Sequence, residues 1–248
     1  MMGTLLVFLV IAAPAHLDFF QQGNAAYEAG DFFRAVVLYD SALGIVRAAE
    51  IYYNRGNAYF KQGQLGRALA DYLRAYALKP HDPDIKNNIA FVRQFRPDKN
   101  YSATSPLLNI IRSAFTILSV GVTGLACGLA FFLLGLAVAL FLISGKRVFG
   151  FISLGLALVF LYLLLAVFFW QGLVNPAQAV VAVPEAILRS GPGAEYKEIA
   201  TVHDGLEVRI IEERAGYRLI QMPGGLVGWV EQEAVERVYS ENRKGQYQ

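Results

Sequence analysis

Acidic side chains are absent from residues 101 to 170, and the only basic ones there are Arg112, Lys146 and Arg147. Across all 248 residues, 17% of positions are charged and 55% hydrophobic, whereas soluble domains carry about a quarter charged residues. An ordinary soluble chain is excluded, and a membrane class is indicated. Net charge is +2, and the basic groups are not concentrated: residues 16 to 100 carry 11 basic and 9 acidic side chains, and 171 to 248 carry 8 and 11. Nucleic-acid binding needs a clustered cationic face and is therefore not expected.

Cysteine is nearly missing too. The single Cys127 rules out an intramolecular disulfide and a cysteine-built zinc site, and it leaves the redox compartment open. It lies in an apolar run where a thiolate would be costly, so it reads as a small apolar residue. The three histidines, His16, His81 and His203, have no serine or cysteine motif beside them from which a nucleophile and base could be assembled. There is no glycine-rich phosphate loop ending in Lys-Ser/Thr. Glu212-Glu213 reads as solvated strand-end charge. No catalytic residue, metal ligand or cofactor site is indicated, and an enzyme is not expected.

What is present begins with Leu5 to Ala13, nine consecutive apolar residues followed by Ala13-Pro14-Ala15. This is the layout of a secretory signal over 1–15, cut before His16, although no Lys or Arg leads it; an uncleaved anchor and a buried soluble helix are the alternatives. Two uncharged segments, 117–143 and 148–170, are each long enough to cross a hydrocarbon core of roughly 30 Å as a helix. The turn between them, 144–147, contains Lys146 and Arg147. Positive residues at span ends stay on the cytoplasmic side, so this is the inner turn, and everything before 117 and after 170 is expected outside a bacterial inner membrane, in the periplasm. Arg112 is a single opposing charge. Trp170 and Tyr101 are candidates for the interfacial belts, and the linker 101–116 contains PLLNIIRSAF, whose one-sided apolar pattern suits the membrane surface. Gly121, Gly124, Gly128 and Gly135 are candidate helix-packing positions, against the second span or against another membrane protein.

Residues 16–100 hold an internal repeat. GNAAYEAGDFFRAVVLYDSAL from Gly23 aligns with GNAYFKQGQLGRALADYLRAY from Gly56 at an offset of 33. Gly23/Gly56, Gly30/Gly63, Ala35/Ala68, Tyr39/Tyr72 and Ala42/Ala75 correspond. Small residues are needed where antiparallel helices touch, and the tyrosine fills the hole beside them. Pro80 stops the last helix of the second repeat, and DPDIKNNIAFVRQF then starts a third unit, as a solvating cap helix would.

This pattern resembles the tetratricopeptide repeat family, with Ala26 at a usually aromatic position and Arg47 where a terminal proline is usual. The resemblance implies a concave wall built by the first helix of each repeat, presenting Phe20, Asn24, Tyr27, Tyr53, Asn54, Asn57, Phe60 and Asn88 for protein binding. Asn24 and Asn54 match positions that help hold a peptide carboxylate in chaperone-binding members. Phe20, however, stands where those members carry a basic residue.

From Ala179 the texture becomes short alternating runs broken by Gly and Pro, which reads as a small antiparallel barrel over 176–240. Arg189-Ser190-Gly191-Pro192-Gly193, then His203-Asp204-Gly205, then Gly228-Trp229-Val230 resemble the bacterial SH3 family. Arg189, Tyr196, Tyr217 and Trp229 are its candidate face for peptide or cell-wall glycopeptide, unless Tyr217 and Trp229 belong to the barrel core. The tail 241–248 is expected to be disordered.

The expected fold class is thus a multidomain membrane protein: all-α tetratricopeptide hairpins, a two-helix transmembrane hairpin and a small all-β SH3-like barrel. The whole order resembles the E-type membrane proteins of the Bacteroides aerotolerance operon (BatE-like). That resemblance implies partners among membrane proteins with von Willebrand A domains and a MoxR-type ATPase, and a role in envelope or oxidative stress tolerance. A peptidoglycan-binding sensor acting through the SH3 domain is the alternative.

Overall fold

The computed structural model describes residues 15–98, 114–173 and 177–239. The expected signal apart from Ala15, Tyr101, Arg112, residues 106–113 of the surface-lying stretch and the tail 241–248 lie outside the described residues.

Five helices come first: α1 (Ala15–Glu28), α2 (Phe32–Leu43), α3 (Ala49–Lys61), α4 (Leu65–Leu78) and α5 (Pro83–Phe95). The two repeats are the same down to single contacts. Gly30 and Gly63 take φ of 79° and 78° at the two inter-helix turns, a conformation that glycine adopts without strain. A Cβ on Gly23 would lie 2.6 Å from the Tyr39 ring, and one on Gly56 2.8 Å from the Tyr72 ring. Ala35, Ala42, Ala68 and Ala75 are all fully buried. Leucine at Ala68 would force extra carbons into a closed helix contact, an overpacking cost of about 1–3 kcal/mol. A matching fall in the melting temperature of the full-length protein is expected, and an unchanged melt would refute the close contact.

Capping separates the repeats. Asp31 accepts from the Arg34 amide at 3.1 Å and caps α2. The equivalent position before α4 is Gln64, which makes no side-chain cap. Asp204, 138 residues beyond Gly66, supplies it instead, accepting from the Gly66 amide at 2.9 Å and the Leu65 amide at 2.8 Å. An uncapped helix end leaves unsatisfied N–H groups, and here the C-terminal barrel satisfies them.

Two long helices follow, α6 (Val120–Ser144) and α7 (Arg147–Leu173), both long and apolar enough to cross a membrane. Gly145, at φ 64°, closes α6 in the left-handed conformation, and Arg147 begins α7. The expected role of the glycines in packing the hairpin is corrected. The buried positions of α6 are Thr123, Ala130 and Ala137, while α7 buries Leu163, Ala166 and Trp170. A Cβ on Gly121, Gly124, Gly128 or Gly135 would meet nothing within 4 Å. Gly121, Gly128 and Gly135 recur every seven residues, and the buried seam has the same period, but it starts at Thr123. Two residues turn the helix by roughly 200°, so Gly121, Gly128 and Gly135 face away from α7, and Gly124, one residue past Thr123, stands to the side of the seam.

The barrel has seven strands: β1 (Gln178–Val181), β2 (Glu185–Arg189), β3 (Glu198–His203), β4 (Glu207–Arg214), β5 (Tyr217–Gln221), β6 (Val227–Glu231) and β7 (Val235–Arg237), in the order β3-β2-β6-β5-β4-β1-β7. Its core includes Leu188, Val202, Leu206, Ile220 and Val230, all fully buried.

The repeats and the barrel are not separate bodies. In β1, Ala179 and Val181 point into the barrel core. Val180, between them, belongs with Val238 to the cluster of Leu69, Tyr72, Leu73 and Ile85. A strand buried on both faces joins two cores. α5 closes the helical stack with most of its residues exposed, as a cap helix would, but its C-terminal end is tied to the barrel: Arg93 donates to Glu207 at 2.8 and 3.0 Å, and Arg96 is buried 3.7 Å from the same carboxylate. Just after α5, Asp98 holds the His203 amide at 2.9 Å.

Candidate ligand groove and barrel face

The concave side is formed by α1, α3 and α5. Phe20, Tyr53 and Asn54 line one cavity of about 170 Å³ together with Glu50, Lys79, Asp82, Asp84 and Ile85. Tyr27, Asn57, Phe60 and Asn88 line a second, of about 220 Å³, with Lys61 and Phe91. Between the two lie two matching rungs. Asn24 Oδ1 accepts from the Tyr39 hydroxyl at 2.8 Å and from Asn54 Nδ2 at 2.9 Å. Asn57 Oδ1 accepts from the Tyr72 hydroxyl at 2.7 Å and from Asn88 Nδ2 at 3.0 Å. Burial pushes the Tyr39 phenol up to about 12 and raises Tyr72 as well, so both remain donors at neutral pH. All eight groove residues read from the sequence are therefore gathered on one wall, although the asparagines also hold the helices together.

Two features went unread. Phe91 and Phe95, 47% and 54% exposed, meet each other with ring centroids 4.8 Å apart and meet Phe60 at 5.7 and 6.3 Å. Their spacing of four residues on a helix was the available signal. Behind the groove, fully buried Asp71 accepts from Arg55 at 2.7 and 2.6 Å and from Arg74 at 2.6 Å. Arg55 also pairs with Asp40, and its guanidinium lies 5.7 Å from the Tyr52 and Tyr59 ring centroids. Burial works to lower the Arg55 pKa, but the bond and charge of Asp71 and the charge of Asp40 outweigh it and hold it above its usual value. Arg74 reaches on to the barrel, donating to Glu236 at 2.8 Å, the Arg237 carbonyl at 2.6 Å and the Val238 carbonyl at 2.8 Å.

On the barrel, Arg189 lies opposite Trp229, and Leu219 lies opposite Trp229 on its other side. Tyr217 is two residues from Leu219 in β5, so these side chains share the outer face of the sheet. Tyr217 and Trp229 are half-buried and stand outside the core cluster. Arg189 is committed to its own loop, donating to the Ala194 and Tyr196 carbonyls at 3.2 and 3.1 Å and pairing with Glu198. Tyr196 is exposed and rests against Gly191.

The hairpin meets this assembly at one end. Trp170 is buried against Ala77, Val120 and Tyr239 and donates to the Leu118 carbonyl at 3.2 Å. His81 bonds the Thr116 carbonyl at 2.8 Å. Lys146 and Arg147, both exposed, lie at the opposite end. Among the described residues, no group of three or more His, Cys, Asp or Glu side chains gathers as a metal site would require.

Residues 49–82 match the tetratricopeptide repeat family, and 182–236 match the bacterial SH3 domain family. The helical region is also similar to human tetratricopeptide repeat protein 28, 36% identical over 75 residues; this is 30% of the chain and 3% of the length of that protein. The chain thus carries a tetratricopeptide repeat, a bacterial SH3 domain and two apolar helices long enough to span a membrane. Both modules are non-catalytic interaction domains.

Proposed function

We propose that this protein is a non-enzymatic adaptor of a bacterial inner membrane, holding a protein-binding groove on its outer face with the SH3 barrel as a fixed buttress. The observation that carries the reading is the groove itself: eight concave-wall residues plus an exposed aromatic cluster, set on a body joined to the outer end of the hairpin. The attachment of both modules at the end remote from Lys146 and Arg147 supports one-sided, extracytoplasmic display. The BatE-like architecture favours partners that are membrane proteins with von Willebrand A domains, acting with a MoxR-type ATPase in envelope or oxidative stress tolerance.

Two experiments test this. A reporter active only outside the cytoplasm should work when fused after Gln248, and a cytoplasmic reporter should work only within 144–147. Cytoplasmic activity of the C-terminal fusion would refute the topology. Second, Tyr53→Ala combined with Phe91→Ala should remove co-purifying membrane proteins from the tagged full-length chain, since aromatic anchors each contribute about 2 kcal/mol or more of affinity. Retained partners would refute the groove.

The outer barrel stripe of Tyr217, Leu219 and Trp229 favours a second reading, binding to peptidoglycan. In that case the full-length protein would sediment with purified cell wall and lose this on Trp229→Ala, with the Tyr53/Phe91 variant unaffected.

A further inference from the structure

The groove has two chemically different ends. Toward the hairpin, Glu50, Asp82 and Asp84 surround a single base, Lys79, which is itself paired with Glu50. Three acids against one base leave this end negative, and Asp84 is exposed. At the other end Phe60, Phe91 and Phe95 form the apolar cluster. From Asp84 to Phe91 along α5, and from Glu50 to Phe60 along α3, the separations are about 10 and 15 Å at 1.5 Å per residue. An extended peptide covers that length in about three to five residues.

The rungs between are half used. The Oδ1 atoms of Asn24 and Asn57 each already accept two hydrogen bonds. What each rung has left is amide N–H groups, two on Asn24 or Asn57 and one on Asn54 or Asn88, and one amide oxygen, on Asn54 or Asn88. A donor beside an acceptor matches the needs of a peptide group in the interior of a chain. A terminal carboxylate requires donors only and would leave the Asn54 and Asn88 oxygens facing negative charge; the one base in the second cavity, Lys61, stands at the phenylalanine end with Phe60 and Phe91.

We propose that the groove takes an internal, extended peptide segment with a basic side chain at the Asp82/Asp84 end and a bulky apolar side chain, three to five residues away, at the phenylalanine cluster. This rests on the adaptor reading and adds the chemistry of the partner to it. The fixed amides bind main chain, and the ends select sequence.

The test uses the full-length protein in lipid nanodiscs and a position-scanning library of hexapeptides acetylated at the N-terminus and amidated at the C-terminus, with empty nanodiscs as blank. Enrichment of Lys or Arg at one position and of Phe, Leu or Met three to five residues from it is expected. Asp84→Lys should erase the basic preference about tenfold while keeping the apolar one, and Phe91→Ser should do the reverse; both positions are exposed, so the fold tolerates the changes. Enrichment of acidic residues, or tighter binding of peptides with a free C-terminal carboxylate, would overturn this inference and leave the adaptor reading standing. Retention of no peptide above blank would overturn both.

Discussion

Replacing Asp71 with alanine is expected to cost about 3–5 kcal/mol, because it strips the shared acceptor from two arginines that cannot return to water without opening the structure. The Asp71 side chain has no exposure, while Arg55 and Arg74 retain only 13% and 15%. One carboxylate therefore joins α3 to α4 and, through Arg74, α4 to β7. Without it Arg55 keeps Asp40 and two tyrosine faces, and Arg74 keeps Glu236, two carbonyls and the Tyr52 ring, but both lose their shared buried carboxylate. The variant should melt well below wild type in nanodiscs, and its barrel should become sensitive to protease at the same time. Asp71→Asn keeps a hydrogen-bond acceptor and should fall between. A stability within about 0.5 kcal/mol of wild type for the alanine variant, the range of an ordinary surface change, would mean the network contributes little.

The repeats were legible because their signal is local and doubled: the glycine, tyrosine and alanine positions recur at 33 and each has one steric task. The pair of long apolar helices was legible because their length and composition stand apart from the rest of the chain. Its seam was misread because glycine and alanine both allow close approach, and only the phase of the period, set by Thr123, Ala130 and Ala137, tells which is used. The barrel turns were read from RSGP and HDG, yet their second role was hidden. Asp204 reads as a turn residue, and nothing local says that it caps a helix 138 positions earlier. Val180 likewise reads as ordinary strand alternation, and its burial against α4 is a property of two modules at once. Arg74 and Asp71, three apart on a helix otherwise rich in Ala, Leu and Tyr, were the one local hint that charge was being taken inside.

The seam between the modules is most exposed to change at Gly66. A Cβ there would fall 1.9 Å from the Val181 carbonyl oxygen, 2.6 Å from Asp204 Oδ1 and 2.9 Å from the Val181 carbonyl carbon. Two of these atoms are backbone within a strand buried on both faces, so a side-chain rotation cannot relieve the clash. Gly66→Ala must push the barrel off α4. That step costs the Asp204 cap, about 1 kcal/mol, and uncovers Val180 and Val238, each worth about 1.5–3 kcal/mol when fully buried. A docking loss of about 4–7 kcal/mol follows from those contributions. The wild-type repeats and barrel should unfold together in one transition, whereas the variant should show two, with amides of β1 and β7 exchanging early. Gly63→Ala is the control. It forces alanine to φ near 78° at about 1–2 kcal/mol, but its Cβ would meet nothing within 4 Å, so that variant should melt somewhat lower and still in one step. If Gly66→Ala also melts in one step at the wild-type temperature, the two cores are not coupled through α4 and β1.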